Sequence, residues 1–185
     1  MKITIRDTNP AFAAAWTFDL PGVVVEHGSI LDVICDAFVS PANSFGFMDG
    51  GVDYAYSAYM GWHVQAAVQR EIAKMPFGEL LVGQALVIPT GYDRAPHLIC
   101  APTMRIPRRI TDPADVMLAT RAAVSAALER GLEHIAFPGM GTGCGGLPFD
   151  IASKAMRAGI ETALAPLPPP QTWREAQERH SLLIG

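Results

Sequence analysis

Cysteine is scarce in this chain, and charge is thin. The three cysteines, Cys35, Cys100 and Cys144, are odd in number, widely spaced and contain no CxxC pair, which is not the pattern of a disulfide framework. Cys35 and Cys100 sit in apolar runs, where a reduced, buried thiol is the usual state, and a reducing cytoplasm is the expected compartment. The histidines His27, His63, His97, His134 and His180 are scattered, with no metal-ligand spacing between neighbours, so no metal site is expected. Charged residues make up 17% of the chain and the net charge is −4, which argues against a whole-surface grip on nucleic acid. Also absent is any uninterrupted apolar run of the roughly 18 residues that a membrane span needs. The N-terminal Met1–Asp7 alternates polar and apolar residues and has no signal-peptide apolar core.

What is present is enough apolar material for one well-packed domain: half of the 185 residues are hydrophobic. Residues 2–6 and Val23–Val25 read as strands. Val33–Ser40 is a mostly apolar run suited to a strand buried on both faces, ended by Pro41. Helical periodicity follows from Val52 to about Met75, with a break at Gly61. Ala85–Ile88, Leu98–Ala101 and Ile135–Phe137 are further short strands. Asp115–Arg130 is a helix closed by Gly131, and Pro148 opens another at a position proline tolerates. Strands alternating with helices predict a three-layer α/β/α sandwich with a mixed, largely parallel central sheet. The domain is expected to cover 1–165. Residues 166–185 then form a proline-rich linker and a short C-terminal helix.

Two loops draw attention because each follows a buried strand and precedes a helix, where open α/β sheets take their ligands. The first runs from Asn43 to Asp53, the second from Gly139 to Gly146. Both are rich in glycine, which permits a close backbone approach, and exposed amides at helix starts favour anions. Two such loops on one edge point to a diphosphate. The second also spells Gly141-Thr142-Gly143-Cys144-Gly145-Gly146, formally GxGxxG. A dinucleotide fingerprint, however, belongs on the first strand–helix turn with an acidic residue after the next strand. Here the string lies late, and Glu161, at about the right spacing, falls inside a helix. A nicotinamide-dependent oxidoreductase is therefore the weaker reading.

The residues resemble the macro domain family in an ordered set of segments across roughly 22–165. Gly28-Ser29-Ile30 is similar to its Gly-Asp-Ile turn. Val39-Ser40-Pro41-Ala42-Asn43-Ser44 resembles its Val-Asn-Ala-Ala-Asn-Ser signature, and Gly50-Gly51-Val52-Asp53 its helix start. Ile135–Pro138 and Gly141-Thr142-Gly143 resemble its strand and phosphate loop. The resemblance implies a cleft for ADP-ribose or an ADP-ribosylated macromolecule, with no cofactor and no metal. By that likeness Asn43 would meet hydroxyls of the distal ribose. Gly50, Gly51 and Val52 would offer amides to the diphosphate from one side, and Gly141, Thr142, Gly143, Cys144 and Gly145 from the other. Gly28, Ser29 and Ile30 would line the adenine end. Asp53 would activate water for hydrolysis of an ADP-ribosyl or O-acyl-ADP-ribose linkage, with Asn43 beside it.

Alternatives accompany these assignments. Asp53 also suits a helix start simply by complementing the dipole, and the alternative to the hydrolase is a binding module without turnover, with altered base specificity. Ser29 stands where the family often carries the aspartate that reads the adenine amino group, which opens the base specificity. Asp32 offers a substitute if it turns inward, and a solvated turn residue if it does not. Asp49 would oppose a diphosphate unless it faces a ribose or lies outside the cleft. Phe45 or Phe47 would supply stacking, or else fill the core. Cys144, with no histidine in its loop, lacks the base that a catalytic thiol needs. Arg105, Arg108 and Arg109 reach for phosphate or form a solvated loop, and Trp62 rims the pocket or packs on the sheet.

Overall fold

The computed structural model describes residues 1–184, with side chains through Ser181. Six strands, β1 (Lys2–Asp7), β2 (Val23–His27), β3 (Ala37–Ser40), β4 (Leu86–Pro89), β5 (His97–Cys100) and β6 (His134–Phe137), form one sheet in the order β2-β1-β6-β3-β5-β4. Only β4 runs antiparallel, against β5, so the sheet is mixed and largely parallel, as the strand–helix alternation predicts. The helices are α1 (Pro10–Ala15), α2 (Gly51–Met60), α3 (His63–Ile72), α4 (Ala114–Glu129), α5 (Phe149–Leu164) and α6 (Trp173–Ile184).

The pleat sorts the strand residues between two cores. Ile3, Ile5, Ala37, Val39, Ile99, Ile135 and Phe137 point to one face, where Phe12 of α1, Val116 and Val124 of α4 and Met156 and Ile160 of α5 cover them. Phe38, Leu98, Cys100 and Ala136 point to the other, under Tyr56 of α2 and Val64, Val68 and Ile72 of α3. Phe38 stacks on Tyr56 with ring centroids 5.5 Å apart, which adds about 1 kcal/mol to the area the two rings bury. The result is the expected three-layer sandwich.

Two differences from the sequence reading matter for the site. β3 begins at Ala37 rather than Val33 because the intervening residues act as anchors. The Asp36 carboxylate accepts the amides of Glu133 (2.7 Å) and His134 (2.8 Å), fixing the start of β6, and the Cys35 amide donates to the Arg94 carbonyl at 2.9 Å. In addition β1, first in the chain, lies inside the sheet between β2 and β6, paired Ile3 to Ile135 on one side and Ile3 to Val23 on the other. It runs parallel to both, so its C-terminal tip, Asp7 to Asn9, emerges on the same edge as the loops after β3 and β6. Asn9 then caps α1 by accepting the Ala11 amide at 3.0 Å, with Pro10 as the first helical residue.

Residues 165–172 link α5 to α6, which rests against α5, and the Arg179 guanidinium donates to the Pro168 carbonyl at 2.8 Å. Among the described residues no helix is long and apolar enough to cross a membrane.

Candidate functional site

A cleft of about 660 Å³ opens at the carboxyl ends of β1, β6 and β3. It is lined by both glycine-rich loops, the tip of β1 and the turn after β2. Asn43, Gly50, Gly51, Val52 and Asp53 form one lip, Gly141 to Gly145 the other, and Ser29 and Ile30 lie toward β2. All the predicted site residues but one thus face one space. Gly28, the exception, does not line it.

The lip after β3 is fastened by side chains. The Asn43 Oδ1 accepts the amides of Phe45 (3.1 Å) and Phe47 (3.3 Å), while its Nδ2 donates to the Phe47 carbonyl at 2.8 Å. Gln65 Oε1 accepts the Met48 amide at 2.7 Å, and Ser57 Oγ donates to the Met48 carbonyl at 3.0 Å. The loop after β5 seals the outside, where the Ser44 amide donates to the Arg105 carbonyl at 3.1 Å. Arg105 itself forks onto Glu79, with Nε and Nη2 at 2.8 and 2.6 Å, and lies 5.0 Å from the Phe45 ring. The guanidinium holds the Glu79 carboxyl below its ordinary range. So Arg105 and Phe45 are scaffold. Phe47, half exposed, does line the cleft.

Helix α2 starts on this lip without a side-chain cap at Gly50. Its first amides have no partner within the helix, as at any helix start, and the residues that carry them, Gly51 to Asp53, line the cleft at the positive end of the helix dipole. Asp53 sits in that first turn with 7% of its surface exposed. Ser40 Oγ, fully buried at the end of β3, donates to its Oδ1 at 2.5 Å. Among the described residues no cation pairs with it. Burial therefore pushes the Asp53 carboxyl from 3.8 up to about 7, with the Ser40 hydrogen bond pulling the other way.

The opposite lip has almost no side chains. Among the described residues, the amides of Gly141, Thr142, Gly143, Cys144 and Gly145 donate to no protein acceptor. Their carbonyls do the fastening: Gly145 accepts Ile110, Gly143 accepts Gly146, and Gly141 accepts Leu147, at 2.9, 3.0 and 3.1 Å. A Cβ on Gly145 would stand 2.5 Å from the Gly141 carbonyl oxygen and 2.7 Å from Ile110 Cδ1, so the curled loop closes only around a bare Cα. The Cys144 side chain is exposed, and among the described residues no histidine lines the cleft.

Residues 39–156 match the family model described as Macro domain. The chain belongs to the macro domain family. A protein of Aquifex aeolicus is 37% identical to it over 134 residues, 72% of this chain and 78% of that protein. Among solved structures, a mutant of the Oceanobacillus iheyensis macrodomain with ADPR superimposes with a TM-score of 0.66 at 21% identity. That match covers 85% of this chain and 90% of the other. The Trypanosoma brucei macrodomain in complex with ADP-ribose gives 0.58 at 23%, covering 72% and 53%. At such identities the likeness to these two is one of fold.

Within this macro domain the structure revises several sequence readings. Asn43 is 8% exposed; its Oδ1 and one Nδ2 hydrogen hold its own loop, so it shapes the lip, while it lines the cleft with a second Nδ2 hydrogen uncommitted among the described residues. Ser29 Oγ accepts the Leu31 amide at 3.3 Å, capping the short 3-10 turn Ile30–Asp32, and Asp32 points to solvent. Gly28, with φ +147°, serves the Arg6 side chain. A Cβ there would fall 2.8 Å from Arg6 Nε. Trp62 does not pack on the sheet; half exposed, it meets Tyr54 edge-on at 6.2 Å. Asp49 is exposed and does line the cleft. Arg108 stands 3.8 Å from Asp115, and neither it nor Arg109 reaches the cleft. Among the described residues no three His, Cys, Asp or Glu side chains converge as metal ligands.

Sequence reasoning missed the tip of β1 altogether. Arg6, Asp7, Thr8 and Asn9 line the cleft, and the Asp7 carboxylate accepts the amides of Asn9 (2.8 Å) and Gly139 (3.1 Å), tying this tip to the glycine loop. The Asn-Pro helix start after a period-two strand was the available signal, since it places those residues at a strand's carboxyl end.

Proposed function

We propose that this macro domain binds ADP-ribose, free or attached to a macromolecule, and hydrolyses the bond at its distal ribose. The observation that carries the reading is the pairing of two sets of unengaged backbone amides across one cleft, with a buried carboxylate beside one of them. The amides of Gly51 and Val52 address the diphosphate from one lip, and those of Thr142 to Gly145 address it from the other. The ADP-ribose-bound macrodomains of similar fold support the choice of ligand.

The chemistry assigned to this end is short. A water attacks the linkage at the distal ribose, Asp53 takes its proton, the bond to the attached group breaks and the proton passes to the leaving group. A base with its carboxyl near 7 accepts and returns protons readily at neutral pH. Asp53 must be ionised, so turnover rises with pH through about 7. Asn43 holds Phe47 and the lip in place beside it. Three reduced cysteines fit work in a reducing, cytoplasmic setting, and the tail beyond 165 is an appendage to the binding unit.

A second reading, binding without turnover, draws on the depth of Asp53, which is almost covered and already holds Ser40. Incubation with mono-ADP-ribosylated protein and with acetylated ADP-ribose separates the two. Release that disappears in Asp53→Ala supports the hydrolase, whereas tight binding with no release from either substrate leaves the module.

A further inference from the structure

Four charged residues line the cleft: Arg6, Asp7, Asp49 and Asp53. Three are committed within the protein. Arg6 pairs with Glu26 at 3.6 Å, both Asp7 oxygens hold backbone amides, and Asp53 holds Ser40. Asp49 differs. It is exposed, and among the described residues its carboxylate forms no ion pair and accepts no hydrogen bond. A bare carboxylate in a cleft that takes a diphosphate costs affinity unless the ligand brings a cation to it.

The backbone beside Asp49 supplies the second observation. Met48 is fully buried, with its amide held by Gln65 and its carbonyl by Ser57. The residues on either side, Phe47 and Asp49, are both exposed and both line the cleft. Phe47 is 54% exposed although Asn43 holds its amide and its carbonyl, and among the described residues its ring meets no aromatic partner and no cation. A free ring and a free carboxylate flanking one anchored residue are the two surfaces a guanidinium uses. Its planar face stacks on the ring, and its edge donates to the carboxylate. Asp53 follows in the first turn of α2, on the same lip. A ligand with its terminal sugar at Asp53 therefore carries whatever is attached to that sugar to this pair, and in that respect the inference rests on the proposed reading. An ester-linked acidic side chain offers Asp49 no donor, and an attached nucleic acid brings it further negative charge.

We propose that Phe47 and Asp49 determine specificity for the group attached to the distal ribose, and that this group is the guanidinium of an arginine. The bond to be broken then joins the anomeric carbon to a guanidinium nitrogen. The water oxygen bonds to that carbon, the bonding pair leaves with the nitrogen as a neutral guanidine, and the proton taken by Asp53 passes to it, so that a guanidinium departs. The probes are free ADP-ribose and two peptides that carry it, one linked through arginine and one through a glutamate ester. Binding is read by calorimetry on Asp53→Asn, which halts the proposed hydrolysis. We expect the arginine peptide to bind about tenfold more tightly than free ADP-ribose, and the ester peptide within about threefold of it. Adding Asp49→Asn, with an unchanged melting temperature, should bring the arginine peptide to within about twofold of free ADP-ribose. Adding Phe47→Leu instead should cost that peptide about threefold. In the chain that keeps Asp53, Asp49→Asn should lower kcat/KM for release from arginine about tenfold. Equal affinity for the two peptides, or a preference for arginine that survives Asp49→Asn, overturns the proposal and leaves the ADP-ribose site standing. If magnesium strengthens free ADP-ribose and Asp49→Asn cancels that gain, the carboxylate faces a metal ion on the diphosphate and the guanidinium assignment falls. Failure of free ADP-ribose to bind strikes the cleft assignment itself and removes this inference with it.

Discussion

The two lips of the cleft are built by opposite means. The lip after β3 is held by side chains: Asn43 grips its own loop, Gln65 and Ser57 hold Met48, and Ser40 holds Asp53. The lip after β6 is held by its carbonyls and by the absence of side chains, which leaves a row of amides free to meet an anion. One lip can carry chemistry because it has functional groups to position. The other can only offer a fixed shape and a partial positive field. Removing atoms damages the first lip, and adding them damages the second.

The largest effect should come from adding atoms. Gly145→Val puts a side chain into the Gly141 carbonyl and Ile110, so the loop must uncurl and its amides lose their common aim. Two lost charge-assisted hydrogen bonds at about 1.5 kcal/mol each weaken ADP-ribose by roughly 100-fold in calorimetry. Unchanged affinity in a folded variant would mean that this lip does not grip the ligand.

Next comes the buried carboxylate, where the sign of the pH effect is diagnostic. The unfolded Asp53 carboxyl loses its proton near 3.8 and the folded one only near 7, so the folded state binds more protons in between. Stability from this group is therefore full at low pH and falls as pH rises from about 4 through about 7. Asp53→Asn removes that loss, and denaturant unfolding should show the variant more stable by up to about 4 kcal/mol at pH 8, with no gain at pH 4. A variant less stable at pH 8 would mean that the carboxylate is well solvated or paired.

How far these differences were readable from sequence depends on what each residue spends its polar groups on. The layers, the largely parallel sheet and both lips follow from apolar runs and glycine spacing, signals that survive averaging over a few residues. Asn43 reads as a ligand contact because its type and place fit one, and only the folded loop reveals that Phe45 and Phe47 take its oxygen and one of its two amide hydrogens. Asp36 was swallowed by an apolar run, although its carboxylate fixes the start of β6. Arg6 and Asp7 went unnoticed because the Asn-Pro signal marks only a strand end, while their place in the site depends on β1 inserting between β2 and β6, a long-range pairing that this signal does not specify.

The smallest expected effect sharpens the contrast. If the second lip works through backbone alone, Cys144→Ser leaves ADP-ribose affinity within about twofold, because a serine keeps the amide and the space. In the native wild type one thiol, Cys144, should react promptly with a disulfide reagent. Cys35, whose thiol burial pushes up to about 12, and Cys100, also pushed up by burial, react only on unfolding. A large loss of affinity in Cys144→Ser would assign the side chain a part that the geometry does not give it.

The most direct measurement of the two-lip site is a titration of isotopically labelled protein with ADP-ribose, following backbone amide resonances. The account predicts large, saturable shifts at Gly51 and Val52 and at Thr142 to Gly145 together, with one common dissociation constant, and weaker binding by AMP, which is too short to span both lips. Shifts confined to one lip, or equal affinities for ADP-ribose and AMP, would contradict it.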